Sequence, residues 1–528
     1  MHKKRLKLLA YLFPLLFFSA ALIGCGDGDG EKVENTDNNN DNNNNDNNNN
    51  ENLDPVVVQG PAAITNASAE DYNHNRWGLI EAPTLEIFVN NWDKKDTAAE
   101  DAVPNGRPAH LADDARLVIL QLNGANRAEG ENFIPSSPED GVYVFEIDEF
   151  RFNEARDTGL ISDSVPYQAS GPVTDQWLGR YGIDLGRDYV VFAAGENKNP
   201  NGAFFQELGR AIYWLSYWGA DLQSLAIVNG TLGKNYTGEL TNSALPEGTI
   251  KNDGFSVRHI RIDNTSLTIP LEDLLTVVKQ GLAAEGIVEG FDKQFIIDAR
   301  PSGQFYRTDP NASFGDTHPG QFITTAWNSA GAPSPDAEGR DKNYVLAEGH
   351  IKGATSFPWA SLLEDVGENN WKYKSKAELA QIFANAGYTA ERAEDTVIVS
   401  QCRTNYEVQV NGFASRVVLG YPTIHFDGSL IEFLSLVSNH PNDEFNLKPE
   451  DPAYKFRTDI PELLQHYTAS DDNPQAPTTE ENDEGVVAYN VPGGEGELER
   501  KVAQAKVNKN ATTTRLALDE DRAYKKSE

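Results

Sequence analysis

Thr396-Val397-Ile398-Val399-Ser400-Gln401-Cys402-Arg403-Thr404-Asn405-Tyr406-Glu407 reads as a buried strand running into a short polar loop and then a helix. The β-branched run Thr396 to Val399 suits a pleated, covered surface. Beyond the loop, Val410, Phe413, Ala414, Val417 and Val418 recur at spacings of three and four, which predicts one buried helix face. The chain has two cysteines, Cys402 and Cys25, and Cys25 closes an export signal. Once Cys25 is processed, Cys402 is the sole free thiol, with neither a disulfide partner nor a cysteine cluster for a metal. A lone thiol at a strand-to-helix turn is a candidate nucleophile. The competing reading is a small buried core residue.

The same alternation extends outward. Upstream, Phe295-Ile296-Ile297 leads into Asp298-Ala299-Arg300, and Glu348 to Ala354 precedes Phe357-Pro358-Trp359. A helix is expected from about Lys376 to Ala386. Downstream, Tyr421 to Phe426 closes with Asp427-Gly428-Ser429. An earlier half repeats the order: strands at Leu117–Leu120, Gly141–Phe145, Tyr189–Ala193 and Leu225–Val228, with helices at Gln176–Tyr181 and Phe204–Trp218. Strands alternating with helices imply a parallel sheet covered on both faces. The repeated order suggests duplication, so the expected fold class is α/β with two similar domains.

Four features resemble the second domain of the tandem rhodanese, or sulfurtransferase, family, in the right order: Asp298-Ala299-Arg300, Gly349-His350-Ile351-Lys352-Gly353-Ala354, Cys402-Arg403 and Asp427-Gly428-Ser429. The first half resembles the family more loosely, through Gly141 to Asp148 and Gly202-Ala203-Phe204-Phe205. The resemblance implies two rhodanese-like domains, each a parallel sheet flanked by helices, at 75–235 and 265–440. It also implies a catalytic Cys402 in the second domain and a first domain serving as scaffold. That agrees with Ala193-Ala194-Gly195 after Phe192, which offers no nucleophile. Arg403, Thr404, Asn405, Tyr406 and Glu407 are the expected substrate-binding loop. A thiolate is needed there, so the thiol pKa is expected below the usual value of about 8.5, through inward backbone amides, a helix N-terminus and Arg403. No cofactor or metal is implied. His350 and His425 are expected to pack rather than react.

The loop departs from the family pattern. Thiosulfate-type members carry lysine and glycine after the Cys-Arg pair, where this chain has Thr404 and Asn405, and a Thr or Ser where it has Glu407. An arginine expected six residues after Asp298 is replaced by Gln304, and Arg307 is the nearby substitute. The segment 301–347 is longer than the family's usual connection, as a lid or a plain surface elaboration would be.

Residues Lys3, Lys4, Arg5 and Lys7 precede an apolar run, Leu8 to Ile23, that is interrupted by Pro14 and too short to favour a membrane span. Leu22-Ile23-Gly24-Cys25 resembles the lipobox of bacterial lipoproteins. This implies a signal peptide at 1–24, a lipidated Cys25 and residence in the cell envelope, with Gly26 favouring the outer membrane. Residues 25–52, rich in Asp and Asn, are expected to form a disordered tether. The segment 441–528 is expected to be a polar extension, with a charged stretch from Glu497 to Lys526 that is either a peripheral helix or disordered. The net charge of −35 argues against nucleic acid as a partner, because phosphate binding depends on Lys and Arg.

These features support two functions. One is an envelope sulfurtransferase that moves sulfane sulfur through a Cys402 persulfide, from a small sulfur-containing anion to a thiol or cyanide-like acceptor. The other is a non-catalytic subunit that keeps the fold and assembles with envelope redox proteins. A phosphatase-like or arsenate reductase chemistry ranks last, because Val408 stands where a loop-closing arginine would be expected.

Overall fold

The computed structural model describes residues 54–122, 132–147, 152–162, 164–195, 202–301, 305, 342–343, 349–440, 443–465, 467–470, 473–481, 501–502 and 506–527. Cys25, the signal and tether, and Arg307 lie outside the described residues, as does most of 301–347.

Seventeen elements place the site. The first half contains β1 (Gly78–Ile80), α1 (Ala82–Asn90), β2 (Leu117–Leu122), β3 (Val142–Ile147), α2 (Gly171–Tyr181), β4 (Tyr189–Ala194), α3 (Phe204–Tyr217) and β5 (Leu225–Thr231). The second contains α4 (Leu271–Lys279), β6 (Lys293–Asp298), β7 (Thr355–Ser356), α5 (Lys376–Asn385), β8 (Thr396–Gln401), α6 (Glu407–Phe413), β9 (Thr423–His425) and α7 (Ser429–Phe433). A final helix, α8, spans Leu516–Lys526.

The five strands of the first half form one sheet in the order β1-β5-β4-β2-β3, and the second half forms a sheet in the order β7-β6-β8-β9. Every pairing within both sheets is parallel. Strands such as β4 are buried at every position, as expected where helices cover both faces. The expected α/β architecture of two parallel sheets flanked by helices is therefore present.

One buried hydrophobic cluster spans both sheets. Leu208, Ile212 and Leu215 of α3 join Ile398, Cys402, Val410 and Phe413 in a single buried cluster. Helices α3 and α6 meet closely: a Cβ built on Gly209 would lie 2.7 Å from the Gln409 carbonyl oxygen. Glycine permits this backbone approach. After Phe413 the α-helix continues as a π-turn over Ala414–Val418.

The segment after residue 441 is packed more deeply than its polarity suggested. Leu464 pairs with Ile351 in a short antiparallel bridge. Helix α8 docks on the first half, where the Asp521 carboxylate accepts from Arg156 at 2.8 Å and from the Tyr217 hydroxyl at 2.6 Å. The Lys525 ammonium donates to the carbonyls of Trp218, Val257 and Ile260 at 2.9, 2.8 and 2.7 Å. Helix α8 turns Leu518, Asp521 and Lys525 inward at helical spacing, so polar anchors share the buried face with apolar residues.

Candidate functional site

Cys402 follows β8 directly, at the carboxyl end of a parallel sheet, the edge where open α/β sheets place their ligands. Asn405 adopts a left-handed conformation, φ 60°, which turns the loop back toward the sheet and which Asn tolerates better than most residues. The carbonyls of Cys402 and Arg403 point away from the sulfur, accepting from the amides of Leu430 and Ile431 in α7. Near the sulfur, the backbone amides of Val408 and Thr404 favour its anionic form.

The other three sequence motifs are tied to one another or to this loop. Asp298 and Arg300 form a fully buried ion pair at 2.6 Å, and Arg300 also donates to the Gly349 carbonyl at 3.1 Å, tying the first two motifs together. Asp427 accepts from the Asn405 side chain and, at 2.5 Å, from the Gln168 amide. It also pairs with Arg210 of α3 at 2.8 Å, with both side chains fully buried. His350 stacks on Phe305, with ring centroids 3.9 Å apart, in line with a packing role. His425 is buried against Tyr213 at 4.5 Å, and burial holds it neutral, well below the usual imidazole pKa.

The electrostatics differ from expectation in one respect. The Cys402 thiol is fully buried and its pKa is pushed up to about 11, first by burial and then by the Glu407 carboxylate. The amides of Val408 and Thr404 and the Arg403 guanidinium oppose this rise without overcoming it. Burial raises Glu407 as well, although Arg403 donates to it at 2.9 Å. The physical reason is direct: Glu407 occupies the cation that was expected to favour the thiolate, and adds a negative charge nearby.

Of the expected substrate-binding residues, Arg403, Thr404 and Tyr406 are partly exposed, whereas Asn405 and Glu407 are buried and hold the loop itself. Arg210 was missed. An arginine set within the apolar stripe of Phe204–Trp218 was the signal, because charged residues are rarely buried unless paired.

Comparison with known proteins gives partial matches. No family model matches the chain. The chain is 34% identical over 94 residues to the "Sulfur carrier protein TtuD" of Thermus thermophilus, covering 18% of this chain and 30% of that protein. A second curated relative, from Haloferax volcanii, is 31% identical over 90 residues, covering 17% of this chain and 29% of that protein, and its name assigns it provisionally as a thiosulfate sulfurtransferase. The chain thus spans less than a third of the length of these relatives. Among solved structures, Tum1 from Saccharomyces cerevisiae aligns with a TM-score of 0.33 at 17% identity, over 60% of this chain and 88% of that one. Over these partial stretches the chain is thus similar to proteins named for carrying or transferring sulfur.

Proposed function

We propose that this protein is a sulfurtransferase of the cell envelope that carries sulfane sulfur as a Cys402 persulfide. The observation that carries the reading is a single thiol set between the carboxyl end of β8 and the start of α6, where the amides of Val408 and Thr404 favour its anion. A persulfide anion formed there would be favoured by the same two amides. The Cys402 thiolate attacks the outer sulfur of the donor, and a new sulfur–sulfur bond forms as the donor's own bond breaks. The electron pair leaves with the departing anion, sulfite from thiosulfate or a shortened chain from polysulfide. A thiolate or cyanide acceptor then attacks the outer sulfur and returns the Cys402 thiolate.

Loss of the thiol proton is the step the resting site opposes. Protonation of Glu407, or its displacement by an incoming donor, would remove the repulsion and release Arg403 to the anion. In this reading residues 75–235 are the scaffold domain, 265–440 the catalytic domain, and a lipidated Cys25 tethers both to the outer membrane. The partners are a small sulfur-containing anion and a nucleophilic acceptor. The test is thiocyanate formation from thiosulfate or polysulfide plus cyanide: turnover by the wild type and none by Cys402→Ala supports the reading, and equal rates overturn it.

A second reading, a non-catalytic assembly subunit beside envelope redox proteins, is favoured by one observation. The thiol is buried with its pKa pushed up to about 11. Absence of turnover with every donor would select it.

A further inference from the structure

Beneath the Cys402 loop, two arginines are buried in the junction between the halves, and among the described residues one carboxylate, Asp427, pairs with them. Arg210 comes from α3 and Arg416 from the π-turn after α6; both are at most 2% exposed. Asp427 accepts from Nη1 of Arg210, which leaves its Nε and Nη2 buried without an acceptor. Arg416 forms no ion pair among the described residues, and its Nε and Nη1 are likewise buried without an acceptor.

Both arginines are linked electrostatically to Tyr213 and His425. Arg210 lies 5.3 Å from the Tyr213 ring centroid, and Tyr213 lies 4.5 Å from His425. Gly412, one helical turn before Arg416, packs directly on the His425 ring, which sets Arg416 on the helix face that meets this histidine. Both arginines act on His425 electrostatically, and its Nδ1 is also buried without a partner. Ser400, opposite His425 in the register of β8 and β9, adds a hydroxyl without a partner. Ser400 and Cys402 are two positions apart on the chain, so the cluster lies on the sheet face that carries the thiol.

Leaving four guanidinium nitrogens and a net positive charge dry is costly, since each buried donor without a partner costs on the order of 1–3 kcal/mol and charged groups cost more. Water would satisfy donors but leave the charge uncompensated. We propose that Arg210 and Arg416, beside Tyr213 and His425, form a buried binding site for one small inorganic anion. The site is independent of whether Cys402 turns over. Chloride and a sulfur oxyanion share the required chemistry.

The test follows thermal unfolding of the protein in sodium gluconate, sodium chloride or sodium sulfate at constant ionic strength. The expected result is a midpoint that rises with the logarithm of chloride or sulfate concentration above half-saturation, as for a ligand binding only the native state. In Arg416→Met the excess over gluconate should disappear or fall to the part that sulfate gives any protein. A rise with chloride identifies a general halide-sized site, and a rise with sulfate alone identifies an oxyanion site. An anion dependence that is absent, or the same in Arg416→Met as in the wild type, overturns the proposal. Should that variant fail to fold, anion release settles the matter: wild type desalted into gluconate after loading should liberate about one chloride or sulfate per chain on denaturation, and none would overturn the proposal.

Discussion

Arg403 donates to Glu407 across one helical turn at 2.9 Å, and this pair decides the charge felt by the neighbouring thiol. In Glu407→Gln the carboxylate is gone and Arg403 is released. The thiol pKa should fall from about 11 toward the ordinary range. The pH dependence of iodoacetamide alkylation reads this directly: at a pH below the midpoint, lowering the thiol pKa by one makes the thiolate, and so the reaction, about tenfold more abundant. An unchanged profile would contradict the role given to Glu407.

Asp427 holds three groups, Arg210, the Asn405 side chain and the Gln168 amide, and so links the two halves under the loop. Asp427→Asn leaves Arg210 buried without a countercharge and should cost roughly 3–5 kcal/mol in urea unfolding. The double variant Arg210→Met/Asp427→Leu should recover most of that loss. Single and double variants of equal stability would refute the coupling.

Asn405 is held in the left-handed region and bonds Asp427. Asn405→Gly keeps the backbone but loses the bond, whereas Asn405→Val loses both. Glycine should therefore retain more sulfur-transfer activity and stability than valine. The reverse order in activity and melting temperature would show that the turn is not what matters.

Glu432 supplies a pH signature. Burial raises its pKa to about 7, against 4.5 ordinarily, while Thr158 donates to it. The folded state therefore binds the extra proton between these values, so this residue's contribution is fully present below about 4.5 and lost as pH rises through about 7. Glu432→Gln should flatten the fall in stability between about pH 5 and 7, a slope worth a few kcal/mol over this range. Parallel stability–pH curves for the variant and wild type would contradict the assignment.

Much of this was legible in the sequence, and for physical reasons. Buried parallel strands such as Tyr189–Ala194 are continuous apolar runs, and α3 carries a helical apolar stripe, so local pattern and tertiary role agree. The position of Cys402 at a strand-to-helix turn was equally readable. What was not legible depends on partners far apart in the chain. The Arg210–Asp427 pair spans 217 positions and the Arg156–Asp521 bond spans 365, so neither leaves a local mark. Glu407 was visible as an added charge, but its capture of Arg403 depends on how deeply the helix start is buried. The short strand β1 and helix α1 were missed because Gly78–Ile80 is too brief to show a period.

Cys402 as the sulfur carrier is tested most directly by intact mass. The protein is incubated with thiosulfate or polysulfide, desalted and weighed, then treated with cyanide and weighed again. The expected result is a gain of one sulfur atom that cyanide removes and that Cys402→Ser never acquires. The same mass for wild type and Cys402→Ser with every donor would contradict it.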